Sequence, residues 1–107
     1  MIEIKHPYIV IDTNGVEWGE VTLISEHSGK FHGYLKPTQE FQEIFPIFEK
    51  HERLMSEGGF IDAELEASAQ EIINLRPALH SSVSRPESAG IVFISKTSHG
   101  MLFTCGR

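Results

Sequence analysis

Residues 37–79 read PTQEFQEIFPIFEKHERLMSEGGFIDAELEASAQEIINLRPAL, and the rest of the chain is organised around them. At 100° per residue, Phe41, Ile44, Phe45, Phe48 and Met55 fall within an arc of about 100°, the stripe of a helix that faces a core. Thr38 is a fair N-cap for that helix. Pro46 falls near the opposite side of the wheel, where a proline removes one ladder bond and bends the helix around the core. One kinked helix is therefore expected over 38–57; the other reading starts the helix near Pro46 and leaves 38–45 as a separate turn. Gly58-Gly59 supplies the left-handed conformation that ends a helix. Asp62 then caps a second helix over 62–76, with Glu64 and Glu66 in its first turn and Arg76 in its last. Its apolar stripe is Leu65, Ala69, Ile72 and Ile73. Pro77 stops it at Leu75 or Arg76, and so short a connection sets the two helices antiparallel.

Outward from the helices the apolar period changes from 3.6 to two. Tyr8-Ile9-Val10-Ile11 has the length and β-branching of a strand covered on both faces. Asn14-Gly15 is a strong hairpin signal, read as a type I′ turn. Val16 and Trp18 share one parity and Val21 and Leu23 the other, so a bulge at Gly19 would return all four to one buried face. Ser28-Gly29 marks the next turn. Phe31, Gly33 and Leu35 then alternate with His32 and Tyr34, in a register that the sequence leaves open. Past the helices, Pro77 to Gly90 reads mainly as loop. Fourteen irregular residues are many for a small domain, so the segment is functional, mobile or hides a short edge strand. Ile91–Ile94 and Met101–Cys105 form a closing hairpin around Ser98-His99-Gly100.

Strands are thus expected over parts of 8–12, 16–25, 31–35, 91–95 and 101–105. The whole, 1–107, reads as one α+β domain: an antiparallel sheet of about five strands with the helical pair packed on one face. Phe41, Ile44, Phe45, Phe48, Leu65, Ile72, Phe93 and Phe103 are its expected core.

Composition narrows function by exclusion. The apolar fraction of 40% and charged fraction of 22% are those of a globular chain. No apolar run approaches the roughly 18–20 residues needed to cross a bilayer, and the start lacks the basic and apolar regions of a secretory signal. A cytoplasmic protein without membrane attachment is expected. The net charge is -6, unevenly spread. Residues 1–76 carry 6 positive and 14 negative side chains, and residues 77–107 carry 3 and 1. An acidic body repels phosphate backbones, so direct nucleic-acid binding is not expected.

Six histidines stand in the chain, but no helical His pair and no His-Glu-x-x-His run. His27 and His32 flank one hairpin loop beside Glu26, a weak basis for a metal site. His51 and Glu52 project toward the apolar side of the first helix, where a partly buried carboxylate could act as an acid or base; at a helix end such a head group more often reaches water. Cys105 has no base or helix N-terminus assigned to it and reads as a core thiol. No Gly-x-Ser-x-Gly elbow or phosphate-binding glycine loop occurs. No catalytic residue, cofactor or metal is therefore assigned.

What remains is surface. Glu17, Trp18 and Glu20 place an indole between carboxylates near a hairpin turn, and His32 and Tyr34 occupy the face opposite Phe31 and Leu35. Trp and Tyr in a polar surround are frequent interface anchors; the competing reading makes Trp18 core and the other two ordinary solvent-side residues. The expected function is a small acidic protein-binding module, not an enzyme, that inhibits or neutralises a basic partner, in the manner of immunity proteins and antitoxins that neutralise nuclease toxins. The alternative is a ligand-binding or enzymatic domain with a pocket between sheet and helices, as a monomer or a homodimer.

Overall fold

The structure, a computed structural model, describes residues 2–57, 62–83 and 85–106. It is an α+β fold with a seven-stranded sheet and two helices. The strands are β1 (Pro7–Ile11), β2 (Glu17–His27), β3 (Lys30–Pro37), β4 (Ala78–His80), β5 (Glu87–Ser88), β6 (Ile91–Thr97) and β7 (Gly100–Gly106). All pair antiparallel, in the order β5-β4-β1-β2-β3-β7-β6. The two strands beyond the expected five, β4 and β5, lie inside the 77–90 stretch read mainly as loop. Their brevity, three and two residues, hides them from any periodicity argument.

This strand order dictates the shape of the sheet. β5 and β6 are opposite edges, yet only Ala89 and Gly90 separate Ser88 from Ile91 in the chain. Three residue steps span at most about 11 Å, whereas seven flat strands would place their edges about 29 Å apart. The sheet therefore curls until its edges approach, and Gly90 bridges to Gly106 near the seam. The curl gives a concave inner face and a convex outer one.

Two local devices set the registers. Val10 pairs with Gly19 and Ile11 with Glu17, so β2 carries an extra residue at Trp18-Gly19. This is the bulge that the change of parity called for, and Trp18, Val21 and Leu23 are all fully buried. Gly19 takes φ +140°, and a Cβ there would run into the carbonyl oxygen of Lys36. A second irregularity lies at Ile24, between the pairs Leu23–Gly33 and Ser25–His32. The type I′ turn falls at Ser28-Gly29, with φ of 54° and 82°, and not at Asn14-Gly15, where only Gly15 is positive. The Asn14-Gly15 turn is held instead by Asp12, whose carbonyl accepts the Gly15 N–H at 3.0 Å.

The helical region divides at Pro46. A 3-10 helix (Glu40–Glu43) precedes α1 (Phe45–Ser56), with Pro46 in the first turn of α1. The kinked single helix is thus corrected to a turn followed by a helix, because a proline costs nothing where its missing N–H has no intrahelical partner. Phe41, Phe45 and Phe48 are buried, and Phe41 and Phe48 pack on Trp18 at ring separations of 5.1 and 5.6 Å. α2 (Asp62–Leu75) ends where Arg76 turns left-handed at φ 45° before Pro77. Its buried stripe is centred on Ser68 and Ile72, with Leu65 half-buried and Ile73 exposed, one step round from the expected face. Lys50 Nζ of α1 lies 3.6 Å from Glu71 of α2, an exposed ion pair between the two helices. The Gly58-Gly59 stop and the side-chain cap of Asp62 lie outside the described residues.

Phe93 corrects the expected core. The run Ile91–Ile94 alternates, with Val92 and Ile94 buried and Phe93 43% exposed. The parity that turns Val92 and Ile94 inward puts Phe93 on the outer face of β6, an edge strand of the sheet. Among the described residues no helix is long and apolar enough to cross a membrane.

Candidate functional site

Cross-strand partners share a face, so the registers assign each candidate residue a side. One outer row runs Thr22, Tyr34, Leu102, Ser95, and the next runs Ser25, His32, Thr104, Phe93. Glu20, opposite Ile9 and Lys36, belongs to a third outer row, and Glu17, opposite Ile11, to a fourth. Glu17, Glu20, His32 and Tyr34 therefore stand on one convex face, on the adjacent strands β2 and β3. Trp18 does not join them. It is fully buried on the concave side and donates its indole N–H to Asp12 Oδ2 at 3.0 Å. The surface-anchor reading of Trp18 is corrected: the bulge turns its ring inward, between two glutamates that point out.

The convex face has its own chemistry. Tyr34 is 39% exposed, and Ile24 on β2 and Phe93 on β6 are exposed as well. Leu102 is half-buried, as is His32, whose Nδ1 lies 3.3 Å from Thr104 Oγ1. At the end bearing Glu17, the Thr38 hydroxyl donates to the Glu17 carbonyl and the Thr38 N–H to the Trp18 carbonyl. That tie places the exposed Glu40 and Glu43 after Glu17 at the same end of the sheet. An apolar and aromatic centre is thus bordered at one end by the carboxylates of Glu17 and Glu20, with the Lys36 side chain opposite Glu20 in the same row. The sequence contained no sign of Ile24, Leu102 and Thr104 as neighbours of Tyr34, since only the register joins them.

The other sequence candidates separate. His27 pairs with Lys30 and His32 with Ser25, so the two histidines do not face each other. Among the described residues no cluster of three metal-ligating side chains exists. Cys105 is 1% exposed, and burial pushes its thiol from the usual 9.0 up to about 11, leaving it protonated and inert at neutral pH.

His51 and Glu52 meet β6. His51 is buried and stacks on Phe93 with ring centroids 5.7 Å apart, and the Ser95 hydroxyl donates to Glu52 Oε2 at 3.4 Å. Phe93 and Ser95 both belong to outer rows, while Ile94 between them points inward. α1 thus lies along the open edge of the sheet and shields it, as edge strands require. Ser95 thus meets the carboxylate of Glu52 and not the imidazole of His51. Compared with family models, curated proteins and solved structures, the chain matches none of them.

Proposed function

We propose that this chain is a protein-binding module that docks a basic partner on the convex face of its sheet and thereby inhibits or neutralises it. The observation that carries this reading is the gathering of Tyr34, Ile24, Leu102 and His32 in one uncovered area, with Glu17 and Glu20 on the same face. Exposed aromatic and aliphatic side chains with a polar border have the composition of an interface centre and rim. The surplus of acids over residues 1–76 selects a basic partner, because complementary potentials steer association. Nuclease toxins are one class of basic protein neutralised by small acidic inhibitors, and they are the partner class proposed.

The test is affinity capture from the source cell on wild-type protein beside a triple variant, Glu17→Lys, Glu20→Lys and Tyr34→Ala. All three residues are exposed, so the variant should fold as the wild type does, which circular dichroism checks. A basic protein retained by the wild type and lost by the variant is the expected result. Equal retention by both, or retention of acidic proteins alone, defeats the proposal.

A further inference from the structure

One lysine and two histidines share one end of the convex face. Cross-strand pairing puts Ile91, Gly106, Lys30 and His27 in one outer row, and Phe93, Thr104, His32 and Ser25 in the next. Gly106 contributes no side chain to its row, and neighbouring strands lie about 4.8 Å apart, so Lys30 and Ile91 face each other across a gap of about 10 Å. A cleft of about 240 Å³ opens there, lined by Lys30 of β3, Ile91 and Phe93 of β6 and Thr104 of β7. Its apolar wall, Ile91 and Phe93, is open to solvent.

The polar wall is reachable and uncompensated. Lys30 is exposed and has no ion pair among the described residues. His32 turns Nδ1 toward Thr104 Oγ1, while its Nε2 has no hydrogen bond among the described residues and is not sealed from solvent. His27 is exposed on the strand beside Lys30. Neither row contains a carboxylate. Glu26 has the opposite parity and accepts the Gly29 N–H at 2.7 Å, and Glu52 receives the Ser95 hydroxyl one row away. Glu20 pairs with Lys36, six residues along β3 from Lys30, which is about 20 Å. That exceeds the Debye length of about 10 Å at 0.1 M salt, so the acidic end of the face does not cancel the charge at this one.

We infer that this end of the convex face binds a small aromatic phosphate monoester. The ring lies over Gly106 against Ile91 and Phe93, where a flat apolar surface packs. The phosphate meets Lys30 as a point charge, with His32 Nε2 and His27 as further donors. An anion at His32 favours the forms in which Nε2 carries a proton: the imidazolium, or the neutral tautomer whose Nδ1 accepts the Thr104 hydroxyl. Phosphate suits the site better than carboxylate, because its three terminal oxygens can meet donors from two strands. The volume takes one ring with its phosphate, since sites for larger drug-sized ligands run from about 300 Å³ upward. The site lies away from Glu17 and Glu20 and does not rest on the docking proposed above.

Phenyl phosphate is the probe, with phenol and inorganic phosphate as its two halves. Each is titrated into the full chain and followed by the methyl resonances of Ile91 and Thr104 and the ring resonances of Phe93 and His32. Saturable shifts around the cleft are expected, with phenyl phosphate binding at least about tenfold more tightly than either half. Lys30→Gln, a change at an exposed side chain, should weaken phenyl phosphate about tenfold and leave phenol unchanged. Equal binding of phenol and phenyl phosphate overturns the anion subsite, and equal binding of inorganic phosphate and phenyl phosphate overturns the aromatic one. An unaltered affinity in Lys30→Gln overturns the role of that ammonium. No saturable shift up to about 10 mM, or shifts only at other residues, overturns the site. The wild-type comparison stands whether or not the variant folds, and none of its outcomes depends on a protein partner.

Discussion

A single carboxylate organises the first hairpin. Asp12 Oδ1 accepts the N–H groups of Asn14 and Val16 at 2.8 and 3.1 Å, and Oδ2 accepts the Trp18 indole at 3.0 Å. The residue is 6% exposed, so Asp12→Leu would leave the indole N–H and two turn amides without acceptors. A loss of roughly 2–4 kcal/mol is expected from urea unfolding, with Asp12→Asn intermediate because one acceptor oxygen remains. Cys105 gives a prediction in pH. Its thiol holds its proton to about pH 11 in the folded state and to about 9 in the unfolded chain. Stability from this source is full below pH 9 and falls as the pH rises from 9 to 11, by roughly 2–3 kcal/mol at most. In Cys105→Ala that part of the alkaline decline should disappear; an unchanged slope would show that the thiol is not protected. The thiol was legible in the sequence, because an isolated cysteine in an apolar strand has few other places to be. The role of Asp12 was not, since an acceptor for three donors exists only once the turn has formed. Trp18 admitted two readings for the same reason: which way a ring points beside a bulge depends on which residue is extra.

At the scale of elements, the bulge and the helices are what the parity of apolar residues demands. Gly19→Ala combines a φ that side chains avoid with a collision against the backbone of Lys36, and should cost roughly 2–4 kcal/mol. Gly15→Ala is its control: φ is also positive, at +82°, but nothing lies within 4 Å of the added methyl, so about 1 kcal/mol is expected. If the two variants unfold at the same urea concentration, the close approach of β2 to β3 is not what fixes the glycine. Phe48→Ala removes a ring packed on Trp18 and Phe41, and should cost roughly 3–5 kcal/mol. Elements with several turns or several alternations were readable: both helices, β1, β2, β3, β6 and β7. Proline at position 46 misled because its place on the helical wheel is compatible with a kink, while its chemistry favours the first turn. Phe93 misled because an unbroken apolar run does not say whether its strand ends up at an edge. β4 and β5 carry too few residues for any period to show.

At the scale of the molecule, curling the sheet divides its labour between two faces. The concave face closes on Trp18, Phe41 and Phe103 and provides the core. The convex face, which no periodicity could mark as a site because it is simply the other parity, stays open with Tyr34 at its centre and acids at one end. Neither the curl nor the seam at Ala89-Gly90 was legible, since both follow from strand order, which depends on contacts far apart in the chain. If the convex face docks a basic partner, that division has a kinetic signature. Long-range attraction raises the association rate at low salt and fades as the Debye length falls from about 10 Å at 0.1 M to about 3 Å at 1 M. Glu17→Lys with Glu20→Lys should slow association and flatten its salt dependence. Tyr34→Ala should leave association nearly unchanged and speed dissociation, because losing a buried anchor acts on the bound state. Trp18→Ala should act differently again, lowering stability in the absence of any partner, since the ring belongs to the core. Stopped-flow association with the captured partner over a salt series measures the rates, and urea unfolding of the free chain measures the loss in Trp18→Ala. Rates that ignore salt, with both surface variants indistinguishable from the wild type, would place the docking surface elsewhere on the molecule.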